Sequence, residues 1–141
     1  DLLGRKVTQR DGASLVALGG CITECIDAAD NVGGESAELA AALGGSWQRL
    51  VEVTMAMFGS GDVEAAMANS AVYLEAFGHI VIAWMWLEQF LAAGDQPGDF
   101  YDGKRQAARY FFRYELPRTA AQLRLLESLD RTTLEMRPDW F

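Results

Sequence analysis

DVEAAMANSAVYLEAFGHIVIAWMWLEQFLAA, residues 62–93, is the stretch whose reading decides the fold. Gly59-Ser60-Gly61 before it and Gly94-Asp95-Gln96-Pro97-Gly98 after it are turn sequences. Asp62 is a good N-cap, and Glu64 falls in the first turn, where the helix dipole favours an acid. The stretch therefore reads as one helix of about 30 residues, roughly 45 Å long at 1.5 Å per residue. On a helical wheel Leu74, Phe77, Val81 and Met85 form the expected core face. Glu88 falls with them. An unpaired buried carboxylate is very costly, so a cation from the fourth helix is expected beside it, with Lys104 the first candidate. The same helix is the most membrane-like part of the chain, but Glu75, His79, Glu88 and Gln89 interrupt it. The uncharged run between the two glutamates is too short to span a bilayer, so no membrane span is expected.

Working outward, the same helical period recurs on both sides. Leu15, Leu18, Ile22, Cys25 and Ala29 are spaced as a core stripe from about Asp11, and Gly33-Gly34 ends it. A second helix, from about Glu35 to Phe58, has Leu39, Leu43, Trp47, Leu50, Met55 and Phe58 as its apolar members. Gly44-Gly45 lies inside it and predicts a kink or break, since each Gly costs about 1 kcal/mol relative to Ala. A fourth helix starts between Asp99 and Asp102 and reaches about Ser128, with a kink expected just before Pro117. No alternating strand pattern is present. The expected architecture is all-α, an up-down-up-down four-helix bundle with short connections. Residues 11–130 would form that bundle, 1–10 read as the tail of a preceding element, and 131–141 as an irregular tail.

The chain has 141 residues, half of them hydrophobic and 23% charged, which excludes a disordered segment. The net charge of −8 argues against nucleic-acid binding, because an acidic domain repels phosphate. The charge is unevenly spread: residues 1–100 carry 4 basic and 14 acidic side chains, and 101–141 carry 8 and 6. The basic C-terminal quarter should pair with the acidic remainder. Cys21 and Cys25 are read as reduced core cysteines, which favours a cytoplasmic setting.

Candidate chemistry is sparse. A di-metal site in a bundle needs two Glu-x-x-His pairs, and the single His79 lies four residues from Glu75, so no metal site is expected. Glu75 and His79 can hydrogen-bond as an i, i+4 pair, read here as structural in preference to a proton relay. Arg105, Arg109 and Arg113 make a basic stripe, read as pairing with the acidic body in preference to binding phosphate. The helix of residues 62–93 has no clean polar stripe. Val72, Glu75, His79, Ile82, Trp86 and Phe90 form a second, mostly apolar strip. Of these, Val72, His79, Ile82, Trp86 and Phe90 are the candidate interface, a docking face for another domain or subunit.

Tyr73-Leu74-Glu75-Ala76-Phe77-Gly78-His79, Ala83-Trp84-Met85-Trp86-Leu87, Phe100-Tyr101-Asp102-Gly103-Lys104, Ala108-Arg109-Tyr110-Phe111-Phe112 and Leu116-Pro117 together resemble one known pattern. It is the C-terminal helical extension of a bacterial branch of the acyl-CoA dehydrogenases. Asp1-Leu2-Leu3-Gly4-Arg5-Lys6 with Arg10-Asp11-Gly12 resembles the junction where the main enzyme hands over to that extension. The resemblance implies a full-length oxidoreductase that binds FAD and dehydrogenates an acyl-CoA thioester between its α and β carbons. Its catalytic glutamate and flavin-binding segments would lie upstream, so no catalytic or cofactor-binding residue carries over to this chain. The implied partners are the enzyme body and neighbouring subunits, in a homo-oligomer. The alternative is a free-standing helical interaction module. A third reading, a catalyst working through Glu75 and His79, predicts activity that vanishes in His79→Ala.

Overall fold

The computed structural model describes the backbone of residues 10–141 and the side chains from Gly12 onward. The junction read into residues 1–10 lies outside the described residues, apart from the backbone of Arg10. The described residues are all-helical and contain no strand. Helix α1 spans Arg10–Val32 and buries Ile22, Cys25 and Ala29 of the stripe read from the sequence, while Leu15 and Leu18 are half-buried. Gly33 and Gly34, at φ 78° and 55°, reverse the chain, a backbone that favours residues without a Cβ.

Helix α2, Gly34–Gly59, runs through Gly44-Gly45 without the expected break. A Cβ on Gly44 would meet only Ile26 Cδ1, at 3.5 Å, so α1 packs close over this stretch and helps hold it helical. Met55 is exposed, not buried; Val53, Thr54 and Met57 fill the core instead. Trp47 wedges between two neighbours. A Cβ on Gly19 of α1 would stand 3.2 Å from its ring, and Phe77 meets it edge-on at 6.4 Å.

The expected single helix over 62–93 is divided. Asp62 caps α3, Val63–Ala68, by accepting a hydrogen bond from the Ala65 amide at 3.1 Å. The helix then breaks at Asn69, whose backbone leaves the helical region and whose side-chain amide donates to the Asp130 carbonyl at 3.1 Å. Asn and Ser compete for backbone hydrogen bonds, and Asn69-Ser70 places both at one point.

Helix α4, Ser70–Ala93, is central: it packs against α1 and α2, and against the C-terminal helices α5 (Asp99–Tyr110) and α6 (Thr119–Glu127). Its buried stripe is Tyr73, Ala76, Ile80, Ala83, Leu87 and Phe90. This corrects the expected face, because Leu74 and Met85 are 58% and 57% exposed. Burying a side chain such as Ile80 or Leu87 contributes roughly 1.5–3 kcal/mol, so the observed rotation is the one that closes the core. Between α5 and α6 the chain passes through a π-turn, Phe111–Glu115, and a 3-10 turn, Leu116–Arg118. The irregularity expected at Pro117 takes this form: the ring cannot donate to the turn before it, and the winding changes on both sides. Of the four expected helices, the third and the fourth are each divided, the fourth around Pro117, where a kink was expected.

Candidate functional site

Two polar constellations and one apolar seam could carry function, and each is built on α4 and α5. The first lies where the Gly33-Gly34 turn meets the end of α4. A cavity of about 430 Å³ there is lined by Glu35, Ser36, Phe90, Arg105 and Arg109, among others. Arg109 grips Glu35 with two bonds, Nε to Oε2 at 2.7 Å and Nη2 to Oε1 at 2.8 Å, and its guanidinium lies 5.7 Å from the Phe90 ring. These bonds hold the Glu35 carboxyl below the usual carboxylate range and raise the affinity of Arg109 for its proton. Arg105 staples the turn after α4, donating to the Gly94 and Gln96 carbonyls at 2.8 and 2.9 Å and to Asp102 at 2.6 Å. Arg113 is exposed and acts on Glu35 only through its charge. Arg105 and Arg109 are thus engaged by carboxylates and carbonyls, as the pairing reading expected, whereas Arg113 has no ion-pair partner among the described residues.

The second constellation surrounds His79, and it corrects the expected pair. His79 Nδ1 lies 3.2 Å from the backbone carbonyl of Glu75, not from its carboxylate. The carboxylate it meets is Glu115 Oε2, 3.3 Å from Nε2, which also accepts from Arg118 at 3.2 Å. Both ring nitrogens face oxygens, the backbone carbonyl of Glu75 and the carboxylate of Glu115. The π-turn delivers Glu115, which no helical spacing in the sequence announces. The Phe111 ring lies 5.8 Å from the imidazole. The cluster clamps the π-turn to α4.

The candidate interface strip does not lie on one open face. Val72, His79 and Trp86 are half-buried, Phe90 is buried beneath Arg109, and Ile82 is 42% exposed. Most of the strip is the seam along which α5 lies on α4. Glu88 is a further correction. It is exposed and accepts from Trp84 Nε1 at 3.2 Å, while Lys104 sits 5.9 and 5.5 Å over the rings of Trp86 and Phe100. The cysteines divide as well: Cys25 is buried but Cys21 is exposed. Burial, reinforced by the nearby Glu88 charge, pushes the Cys25 thiol up to about 12. Among the described residues no group of three His, Cys, Asp or Glu side chains could hold a metal ion. The two arginines beside the cavity at the end of α4 are engaged with Glu35, Asp102 and backbone carbonyls.

Residues 18–137 match the model of the family described as acetyl-CoA dehydrogenase C-terminal like, and the chain belongs to that family. Neither the curated proteins nor the solved structures yield a match.

Proposed function

We propose that the chain is the non-catalytic C-terminal domain of an FAD-dependent acyl-CoA dehydrogenase, serving domain or subunit packing in the cytoplasm. The observation that carries this reading is the family match over residues 18–137. The engaged arginines and the structural role of His79 support it, since they leave no recognisable catalytic set on the described residues. The body of such an enzyme supplies the flavin and the base; this domain supplies surface. Two measurements test the role. The purified chain should show no flavin absorbance band and no acyl-CoA dehydrogenation, and a band near stoichiometry would overturn the non-catalytic assignment. The reading frame before Asp1 should encode a Tyr-Glu-Gly-Thr-like run and a short helix; a start codon there instead overturns the domain assignment.

A further inference from the structure

The face that α4 leaves open is apolar and in part self-matching. Ala71, Leu74, Gly78, Ile82, Met85 and Gln89 fall within an arc of roughly 80° at 3.6 residues per turn, opposite the buried stripe. Leu74, Ile82 and Met85 are 58%, 42% and 57% exposed, and a Cβ built on Gly78 meets nothing within 4 Å. The polar member of this set is Gln89. About the point between Val81 and Ile82, position 74 mirrors 89 and 78 mirrors 85, while Ile82 mirrors Val81, which lies just outside the arc. A copy of the same helix laid antiparallel on this face, about a two-fold axis at that point, sets the Met85 side chain over the Gly78 gap in both directions. It also lays Leu74 along the aliphatic stem of Gln89.

The rim charges agree with this arrangement. Among the described residues Glu75 and Lys104 have no ion-pair partner, and both lie on the edge of the face that borders α5. Within one chain they cannot meet. Glu75 is separated from Trp86, over which Lys104 sits, by roughly 16 Å along the helix at 1.5 Å per residue. The antiparallel two-fold closes that gap. Glu75 lies about 10 Å to one side of the axis and Trp86 about 7 Å to the other, so Glu75 of each copy comes level with Lys104 of its mate. A chain of net charge −8 repels itself. An apolar centre with two reciprocal opposite-sign pairs at its rim is what self-association then requires.

The geometry points to an isologous dimer in which α4 packs antiparallel on α4 of a second copy, with Glu75 paired to Lys104 across the two-fold. This goes beyond the packing role proposed above and does not depend on it. Three exposed large apolar side chains and one rim make a contact smaller than the ~800 Å² per partner of a standard interface, so a reversible dimer is expected.

The test is sedimentation equilibrium of the 141-residue chain, whose core is built from its own helices, alongside charge-reversal variants. The wild-type chain should reach about twice its 15.5 kDa mass as concentration rises. Glu75→Lys and Lys104→Glu should each weaken association at least tenfold with unchanged helicity, and the double reversal should restore it. On a Cys21→Ser background, Glu75→Cys with Lys104→Cys should oxidise to a covalent dimer. A chain that stays monomeric at every concentration overturns the pairing and leaves the flavin and reading-frame tests untouched. A dimer indifferent to both reversals, or one the double reversal fails to restore, also overturns it. So does a monomer whose Ile82→Glu variant loses binding to a flavoprotein body or to lipid vesicles, because that assigns the face to the other occupant.

Discussion

Thr54 and Tyr73, both core residues, hydrogen-bond through their side chains across the α2–α4 contact, and their order of bonding makes a quantitative prediction. Thr54 is 1% exposed and Tyr73 3% exposed, on α2 and α4 respectively. The Thr54 hydroxyl donates to the Leu50 carbonyl at 2.7 Å, which uses its single proton. The 2.8 Å contact between the two hydroxyls must then be Tyr73 donating to Thr54. Thr54→Val strands a buried phenol without an acceptor, at a cost of about 1–3 kcal/mol. Tyr73→Phe removes one bond but leaves Thr54 its carbonyl, for about 1 kcal/mol. The double variant strands nothing and should cost about 1 kcal/mol in all, giving a coupling energy near 2 kcal/mol. Urea unfolding of the four proteins of the cycle measures it, with m-values unchanged. Burial also raises the Tyr73 pKa above its ordinary 10, more than its bond to Thr54 lowers it. Above pH 10 the unfolded chain therefore gives up this proton while the fold retains it. This contribution to stability is whole below pH 10 and is lost as pH rises through the folded pKa, at up to ~1.4 kcal/mol per pH unit. Tyr73→Phe should remove that part of the alkaline slope. Additivity of the two single changes within about 0.5 kcal/mol, or an alkaline slope unchanged in Tyr73→Phe, refutes the reasoning.

Three other outcomes follow from single features. Gly45→Ala should stabilise α2 by about 0.5–1 kcal/mol in thermal or urea unfolding, because the position is mid-helix and an added Cβ meets open space. Glu35→Gln should cost about 0.5–1 kcal/mol, kept small by the partial exposure of both partners of the Arg109 pair. Because the folded pKa of Glu35 is lowered from 4.5, its contribution is present above pH 4.5 and lost as pH falls through the folded value, so the variant should flatten that part of the acid limb. With a thiol reagent at pH 8 the native chain should react rapidly at one cysteine, and Cys21→Ser should abolish the fast phase, since Cys25 is buried with its thiol pushed up to about 12.

Features specified within a few residues were legible in the sequence. The Asp62 cap, the Gly33-Gly34 reversal and the α1 stripe of Ile22, Cys25 and Ala29 all depend on spacings of at most four residues. The basic character of the C-terminal quarter predicted that it would reach across to the acidic body, and Arg109 does so. That its partner is Glu35, 74 residues away, depends on how α5 lies over the α2 N-terminus, which no local spacing encodes. Glu115 reaches His79 for the same reason, through a π-turn. Only Asn69-Ser70 offered a local signal that was missed: two residues that favour caps over helix interiors, at the point where α3 ends.

The misreading of α4 has a physical cause that also bears on function. Periodicity identifies a buried face only when the opposite face is polar, and α4 is apolar nearly all round. Leu74 and Met85 are as hydrophobic as Ile80 and Leu87, so composition cannot tell the stripe that faces the core from the one that faces outward. What separates them is size. The buried stripe alternates Ala76 and Ala83 with Ile80 and Leu87, which lets α2 and α6 approach closely, whereas the outward arc pairs large side chains with the gap at Gly78. An apolar outward face is costly to leave in water, and it carries two mirrored pairs of positions, 74 with 89 and 78 with 85, with an unpaired acid and an unpaired base on one rim. These features that defeat the wheel are the ones a self-complementary contact needs. Glu88 completes the argument from the other edge. Placed in the core by the wheel, it instead meets Trp84 on the α1 side of the face, away from the rim where Glu75 and Lys104 wait for partners.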